Sequence, residues 1–177
     1  MTKIVGALRT YSRNDENDPF ISCHLDNILE ETVHLCGENL RSSGVELKVT
    51  GEKGILLEVR PVQISQVLVN LVNNSADAVQ GLAEKWVTIH TEREASGKIR
   101  ISVTDGGKGI PPAIAEKMLQ PFFTTKEIGK GTGLGLSVSK GIIENHEGVI
   151  FYDAASANTR FVVELPMKHS QALSRAA

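Results

Sequence analysis

Apolar positions along the chain repeat with two periods, and the switches between them mark out its elements. Ile4, Val5, Leu8 and Tyr11 recur at three or four, so residues 2–12 read as the end of a helix. The polar run from Ser12 to Pro19 breaks that pattern and reads as a linker. Leu25, Ile28, Leu29, Val33, Cys36 and Leu40 mark one face of a helix over 24–42, with Gly44 just past its end. Val45–Val49 alternates as a strand, and Ile55–Val59 is expected to pair with it across the turn residues 51–54. Pro61 suits the first turn of a third helix over 61–80, which turns Ile64, Val67, Leu68, Leu71, Val72 and Ser75 inward. Trp86–Thr91 and Lys98–Thr104 alternate around Ser96-Gly97 and predict an antiparallel hairpin. A short helix is expected within 111–119 and a loop without period over 121–133. A helix over 134–146 and strands at 149–152 and 160–165 complete the series. Helices on one face of a mixed, largely antiparallel sheet make an α/β sandwich, of the α+β class.

Composition narrows the picture. The chain has 177 residues, 41% hydrophobic and 23% charged, which suits one globular domain. Boundaries fall at 1–13 (helix end), 14–22 (linker), 23–166 (domain) and 167–177 (polar tail). A net charge of −2 and an aromatic content of 5% exclude a general nucleic-acid footprint. The longest apolar runs fall far below about 18 residues, and the first residues do not form a secretory leader, so a cytoplasmic place without membrane contact is expected. Cys23 and Cys36 lack metal-ligand spacing and are expected as reduced thiols.

The chemistry concentrates in two glycine-rich stretches, Asp105-Gly-Gly-Lys-Gly-Ile110 and Gly129–Ser137. Glycine lets a backbone approach a guest closely, and the second stretch opens the helix at 134, a place where amide N–H groups meet phosphate oxygens. The spacing is not that of a P-loop, and no strand precedes the helix as a dinucleotide fingerprint requires. Asn70 and Asn74 are four apart and share one helical face. Taken singly, each feature has a plain alternative. Asn74 is equally a surface asparagine, Asp105-Gly106 a strand-ending turn, and Phe122-Phe123 simple packing.

Four motifs in order change that balance: Asn70–Ala78, Asp105–Gly109, Pro121–Lys126 and Gly131–Gly135. Together they resemble the N, G1, F and G2 boxes of sensor histidine kinases. These share the Bergerat ATP-binding fold with gyrase, Hsp90 and MutL proteins, the GHKL superfamily. The resemblance covers residues 20–166, and the short segment Lys126–Lys130 is similar to the ATP lid of nitrogen-regulation-type kinases. It implies ATP and Mg²⁺ as ligands, with Asn74 on the metal and Asn70 orienting metal and phosphates. It places Asp105 on the adenine amine and counts Asp77, Gly107, Gly109 and Ile110 among the nucleotide-binding residues. Phe123, Thr124, Thr125 and Lys126 of the F box and Gly131, Thr132, Gly133, Leu134, Gly135 and Leu136 of the G2 box complete the nucleotide site. Gly106 stands where an asparagine is usual, a mild departure.

Position 70 separates the branches of the superfamily. Clamp ATPases of the gyrase and Hsp90 type carry a glutamate there as general base; an amide cannot take a proton near neutral pH. The γ-phosphate is thus kept for another nucleophile, which the resemblance implies is a histidine on a helical hairpin domain, in cis or in trans. A response regulator would act downstream. None of His24, His34, His90, His146 or His169 fits an H-[ED]-x-x-[NT]-P pattern, although His146-Glu147 has the leading dipeptide. The chain therefore reads as a catalytic domain detached from its phosphoacceptor, with residues 1–13 as the end of that hairpin. The alternatives are a clamp ATPase and a degenerate nucleotide-sensing module.

Overall fold

A computed structural model describes residues 19–126 and 131–169. The expected helix at 2–12, the centre of the 121–133 loop and most of the polar tail lie outside the described residues. The described elements run β1 (Ile21–His24), α1 (Leu25–Ser42), β2 (Glu46–Gly51), β3 (Leu56–Val59), α2 (Pro61–Ala78), β4 (Trp86–Arg93), β5 (Lys98–Asp105), α3 (Pro112–Ala115), α4 (Gly135–Asn145), β6 (Val149–Tyr152) and β7 (Arg160–Pro166).

Five strands form the main sheet in the order β2-β4-β5-β7-β6, parallel between β2 and β4 and antiparallel elsewhere. Alternation sends Val87, Ile89, Ile99, Ile101, Val103, Val163 and Leu165 to one face, all buried. Helices α1, α2 and α4 cover that face. The core side of α2 consists of Ile64, Val67, Leu68, Leu71 and Val72, fully buried as the helical period requires. Each such side chain contributes about 1.5–3 kcal/mol relative to exposure. Pro61 opens α2 without needing a backbone donor.

Three expectations are corrected. β2 and β3 do not form a hairpin: β3 pairs with β1, from Ile21↔Val59 to His24↔Leu56, while β2 lies on β4, from Glu46↔Trp86 to Gly51↔Thr91. Gly51 is the reason. Its φ is +102° and a Cβ there would stand 2.1 Å from the Thr91 carbonyl oxygen, so it marks a close approach to β4 rather than a hairpin turn. On α1, Val33 is 37% exposed and Thr32 takes the buried position, its hydroxyl donating to the Ile28 carbonyl at 2.8 Å. Residues 21 and 22, expected in the linker, are strand, and the start of the tail is tied in where Glu58 N donates to Met167 O at 2.9 Å. The two cysteines are not joined in a disulfide, and burial pushes the Cys36 thiol up to about 11.

Candidate nucleotide site

The site grows from α2. Asn70 donates through Nδ2 to Ser139 Oγ of α4 at 3.0 Å, which turns its Oδ1 toward Asn74 Nδ2, 3.5 Å away. That leaves the Asn74 amide oxygen facing outward, where it accepts from Lys126 Nζ at 3.3 Å; the same ammonium stands 2.5 Å from Asp77 Oδ2. Asn70 thus stands between Ser139 and Asn74, linking α4 to the next turn of α2. Gly135 is dictated by this wedge, since a Cβ there would lie 2.4 Å from Asn70 Oδ1. Ser139, fully buried on α4, fixes the orientation of the pair and carries no signal in the sequence.

Ser75, the next residue after Asn74, brings a second group to the same cleft. Asp105 ends β5 and is 2% exposed. Burial raises its carboxyl above the usual carboxylate range, against lowering by the Gly107 N–H, Ser75 and Thr159. Gly107 N donates to Asp105 Oδ1 at 2.8 Å. Ser75 Oγ faces the carboxylate but is buried without a hydrogen bond of full geometry. A buried, unsatisfied hydroxyl beside a buried acid is polar capacity left for a guest.

The loop after Asp105 is held from below. Thr159 N donates to Gly107 O at 3.0 Å, Gly109 N to Thr159 Oγ1 at 3.2 Å, and Ile110 N to Tyr152 OH at 2.9 Å. A Cβ at Gly107 would strike Thr159 Oγ1 at 2.5 Å, and one at Gly109 would strike the Tyr152 hydroxyl at 2.8 Å. Thr159, just before β7, and Tyr152, at the end of β6, support this loop and were missed by sequence reasoning, being ordinary residue types far along the chain. Gly106 also gains a reason: the Trp86 indole nitrogen would be 3.1 Å from a Cβ at that position, so tryptophan fills the room an asparagine would need.

The F and G2 boxes meet each other. Lys126 N donates to Thr124 Oγ1 at 3.1 Å, and a Cβ at Gly131 would meet that oxygen at 2.6 Å. Gly133, with φ +65°, lies so close to the Phe122 backbone that a Cβ would stand 2.5 Å from its carbonyl carbon. Phe123 packs against the core, whereas Phe122 is 70% exposed with φ +66°. Thr125 is exposed; Leu134 is buried and Leu136 packs on the core. Leu134 N donates to Thr132 Oγ1 at 3.3 Å. Helix α4 begins at Gly135 with no side-chain cap and no acid in its first turn, leaving a positive end toward the glycine loop.

The histidines stand apart from this chemistry. His146, at the end of α4, is 1% exposed; its Nε2 accepts from Arg60 N at 3.1 Å and its Nδ1 lies 2.7 Å from Ile142 O. That burial closes it to phosphate. Among the described residues no helix is long and apolar enough to cross a membrane, and no group of three or more His, Cys, Asp or Glu could hold a metal ion.

This geometry has close counterparts. The model of the family described as histidine kinase-, DNA gyrase B-, and HSP90-like ATPase matches residues 59–169. The two-component sensor PprA of Pseudomonas aeruginosa is 36% identical over 143 residues, covering 78% of this chain and 16% of that protein. Sporulation kinase A of Bacillus subtilis is 35% identical over 147 residues, covering 82% and 23%. The chain thus spans less than a quarter of either relative. The solved catalytic domain of histidine kinase ThkA gives a TM-score of 0.75 at 32% identity, covering 86% of this chain and 98% of that one. ThkA in complex with response regulator protein TrrA gives 0.72 at 29% identity, covering 93% and 46%. The chain belongs to the histidine kinase-, DNA gyrase B- and HSP90-like ATPase family. Within it, the chain is an ATP-binding catalytic domain of the sensor histidine kinase type.

Proposed function

We propose that this domain binds Mg·ATP in the cleft between α2, the Asp105 loop and the start of α4, and passes the γ-phosphate to a histidine on a separate helical hairpin domain. The observation that carries this reading is the Ser139–Asn70–Asn74 chain, which presents an amide oxygen outward and puts no carboxylate at position 70. The residues fit the ligands. The glycine cradle admits a guest where side chains would clash, Ser75 has hydrogen-bonding capacity to spare, and Asn74 Oδ1 already faces a cation.

Asp105 accepts from the adenine amine, while Thr159 and Tyr152 hold the loop around it. Asn74 Oδ1, with Asp77 one turn on, faces the metal. The amides of the glycine loop and of the first turn of α4 donate to phosphate oxygens. Mg²⁺, when bound, neutralises charge on the phosphates. Without a general base at position 70, water is not activated and the phosphoryl group waits for the histidine. The hairpin belongs to the same longer polypeptide or to a partner, a response regulator acts downstream, and the domain works in the cytoplasm, where ATP is. The short F-to-G2 spacing supports the nitrogen-regulation type.

Titration with a fluorescent ATP analogue in magnesium tests the site. Asn74→Ala and Asp105→Asn should each weaken binding by about 10- to 100-fold, the worth of a charge-assisted hydrogen bond. Unchanged affinity in both overturns the assignment. With labelled ATP the chain alone should stay unlabelled, and a purified hairpin domain should acquire acid-labile label; label on this chain alone would refute the transfer.

A further inference from the structure

Lys126 holds a place that its box does not predict. Its ammonium bridges two oxygens of α2, Asp77 Oδ2 at 2.5 Å and Asn74 Oδ1 at 3.3 Å. Its backbone is fixed by the Thr124 hydroxyl. The bare Gly131 backbone leaves room for its stem, since a Cβ at Gly131 would lie 3.1 Å from Lys126 Cβ. The contact is therefore positioned from both sides. The oxygens are hard donors, suited alike to an ammonium and to a divalent ion.

We infer that Lys126 competes with the divalent metal for the oxygens of Asn74 and Asp77, and that metal and lysine exchange when nucleotide binds. This rests on the reading that Asn74 faces the metal. A magnesium ion about 2.1 Å from Asn74 Oδ1 would stand no more than about 5.4 Å from an ammonium held 3.3 Å from the same oxygen. Two cations at that range repel, so one leaves. Phosphate oxygens give the lysine a new partner beside Gly131. Metal arriving alone leaves the displaced ammonium only water as a partner, whereas metal arriving on a nucleotide brings phosphate oxygens to it. Lys126 thus biases the seat against free divalent ion and in favour of the metal–nucleotide complex.

The test uses the full chain, with Mn²⁺ as the probe, followed by electron paramagnetic resonance without nucleotide. Because the pair is partly exposed, 37% at Lys126 and 55% at Asp77, Lys126→Gln should tighten Mn²⁺ by about two- to fivefold, the range an exposed ion pair is worth. The same variant should bind the ATP analogue in magnesium more weakly than wild type. Opposite signs in the two titrations support the exchange; a purely structural role lowers both, and a role confined to phosphate leaves Mn²⁺ unchanged, and either result overturns it. Asn74→Ala separates the premise: if it abolishes Mn²⁺ binding while Lys126→Gln does not tighten it, the exchange alone fails. If Mn²⁺ binding ignores Asn74→Ala, the metal seat itself fails.

Discussion

Gly135→Ala isolates the wedge that holds Asn70 against Asn74. A methyl group there would meet Asn70 Oδ1 at 2.4 Å and Asn70 Cγ and Nδ2 at 3.1 Å, and Asn70 is held from behind by Ser139. Overpacking of this kind costs about 1–3 kcal/mol. Loss of the Asn70–Ser139 hydrogen bond adds about 0.5–1.5 kcal/mol. Replacing a helical glycine by alanine returns at most about 0.5–1 kcal/mol. The net loss centres near 2 kcal/mol, which for a chain of this size lowers the melting temperature by about 4–8 °C. Gly37→Ala on α1 is the matched control. Its nearest neighbour would be Arg41 Nη2 at 3.7 Å, an ordinary contact, so only the helix gain of about 0.5–1 kcal/mol remains. Thermal unfolding by circular dichroism should move the two variants in opposite directions. The Gly135 variant should also lose magnesium-dependent affinity for an ATP analogue, because Asn74 is no longer oriented. Melting at or above the wild-type temperature would show that Asn70 has room to turn aside, and the argument for a rigid wedge would fall.

Asp105→Asn should uncouple stability from binding. Burial raises the folded-state pKa of Asp105 above its unfolded value, so its contribution to stability is fully present below the unfolded pKa and is lost as pH rises through the folded one. The amide has no proton to lose; the variant should be more stable than wild type at neutral pH, by a margin that shrinks toward acid, and denaturant titrations across pH that show the reverse trend would refute it. Gly106→Asn should destabilise by about 1–3 kcal/mol through contact with Trp86, and a double-mutant cycle with Trp86→Ala should give a coupling above about 0.5 kcal/mol; additive effects would remove the tryptophan as the reason for that glycine. Hydrogen exchange with saturating Mg·ATP should protect residues 131–136, where loop amides and the first turn of α4 meet phosphate, and equal exchange with and without nucleotide would count against that contact.

Local patterns were legible where neighbours in sequence are neighbours in space. The period of α2 predicted its buried face, and the alternation around Ser96-Gly97 predicted the β4–β5 hairpin. The β2–β3 hairpin failed because Gly51 looks the same in a turn as at a close approach to another strand. The exchange of Thr32 for Val33 is a one-position phase error, and a threonine that returns its hydroxyl to the preceding turn hides its polarity. At the site, Asn70 and Asn74 were readable because four residues make one helical turn. Ser139 lies 69 residues from Asn70, and Thr159 and Tyr152 reach the Asp105 loop from the β6–β7 connection and the end of β6. Their residue types are too common to signal anything without the fold. Lys126 was legible as a charge near the phosphates, but not as a partner of Asp77, because that contact spans the domain.

The parallel pairing of β2 with β4 bears on how the chain assembles in time. The β4–β5 hairpin closes across residues 94–97, whereas β2 reaches β4 only after residues 52–85, which include β3 and α2, have been laid down. Loop closure over the longer span costs about 2 kcal/mol more, and non-local pairings of this kind slow folding. These loop lengths predict that β4, β5 and α2 associate first and that the edge strand β2 joins late, which stopped-flow refolding would check. Trp86, the only tryptophan, sits opposite Glu46 in that register, so its emission times the docking of the last strand.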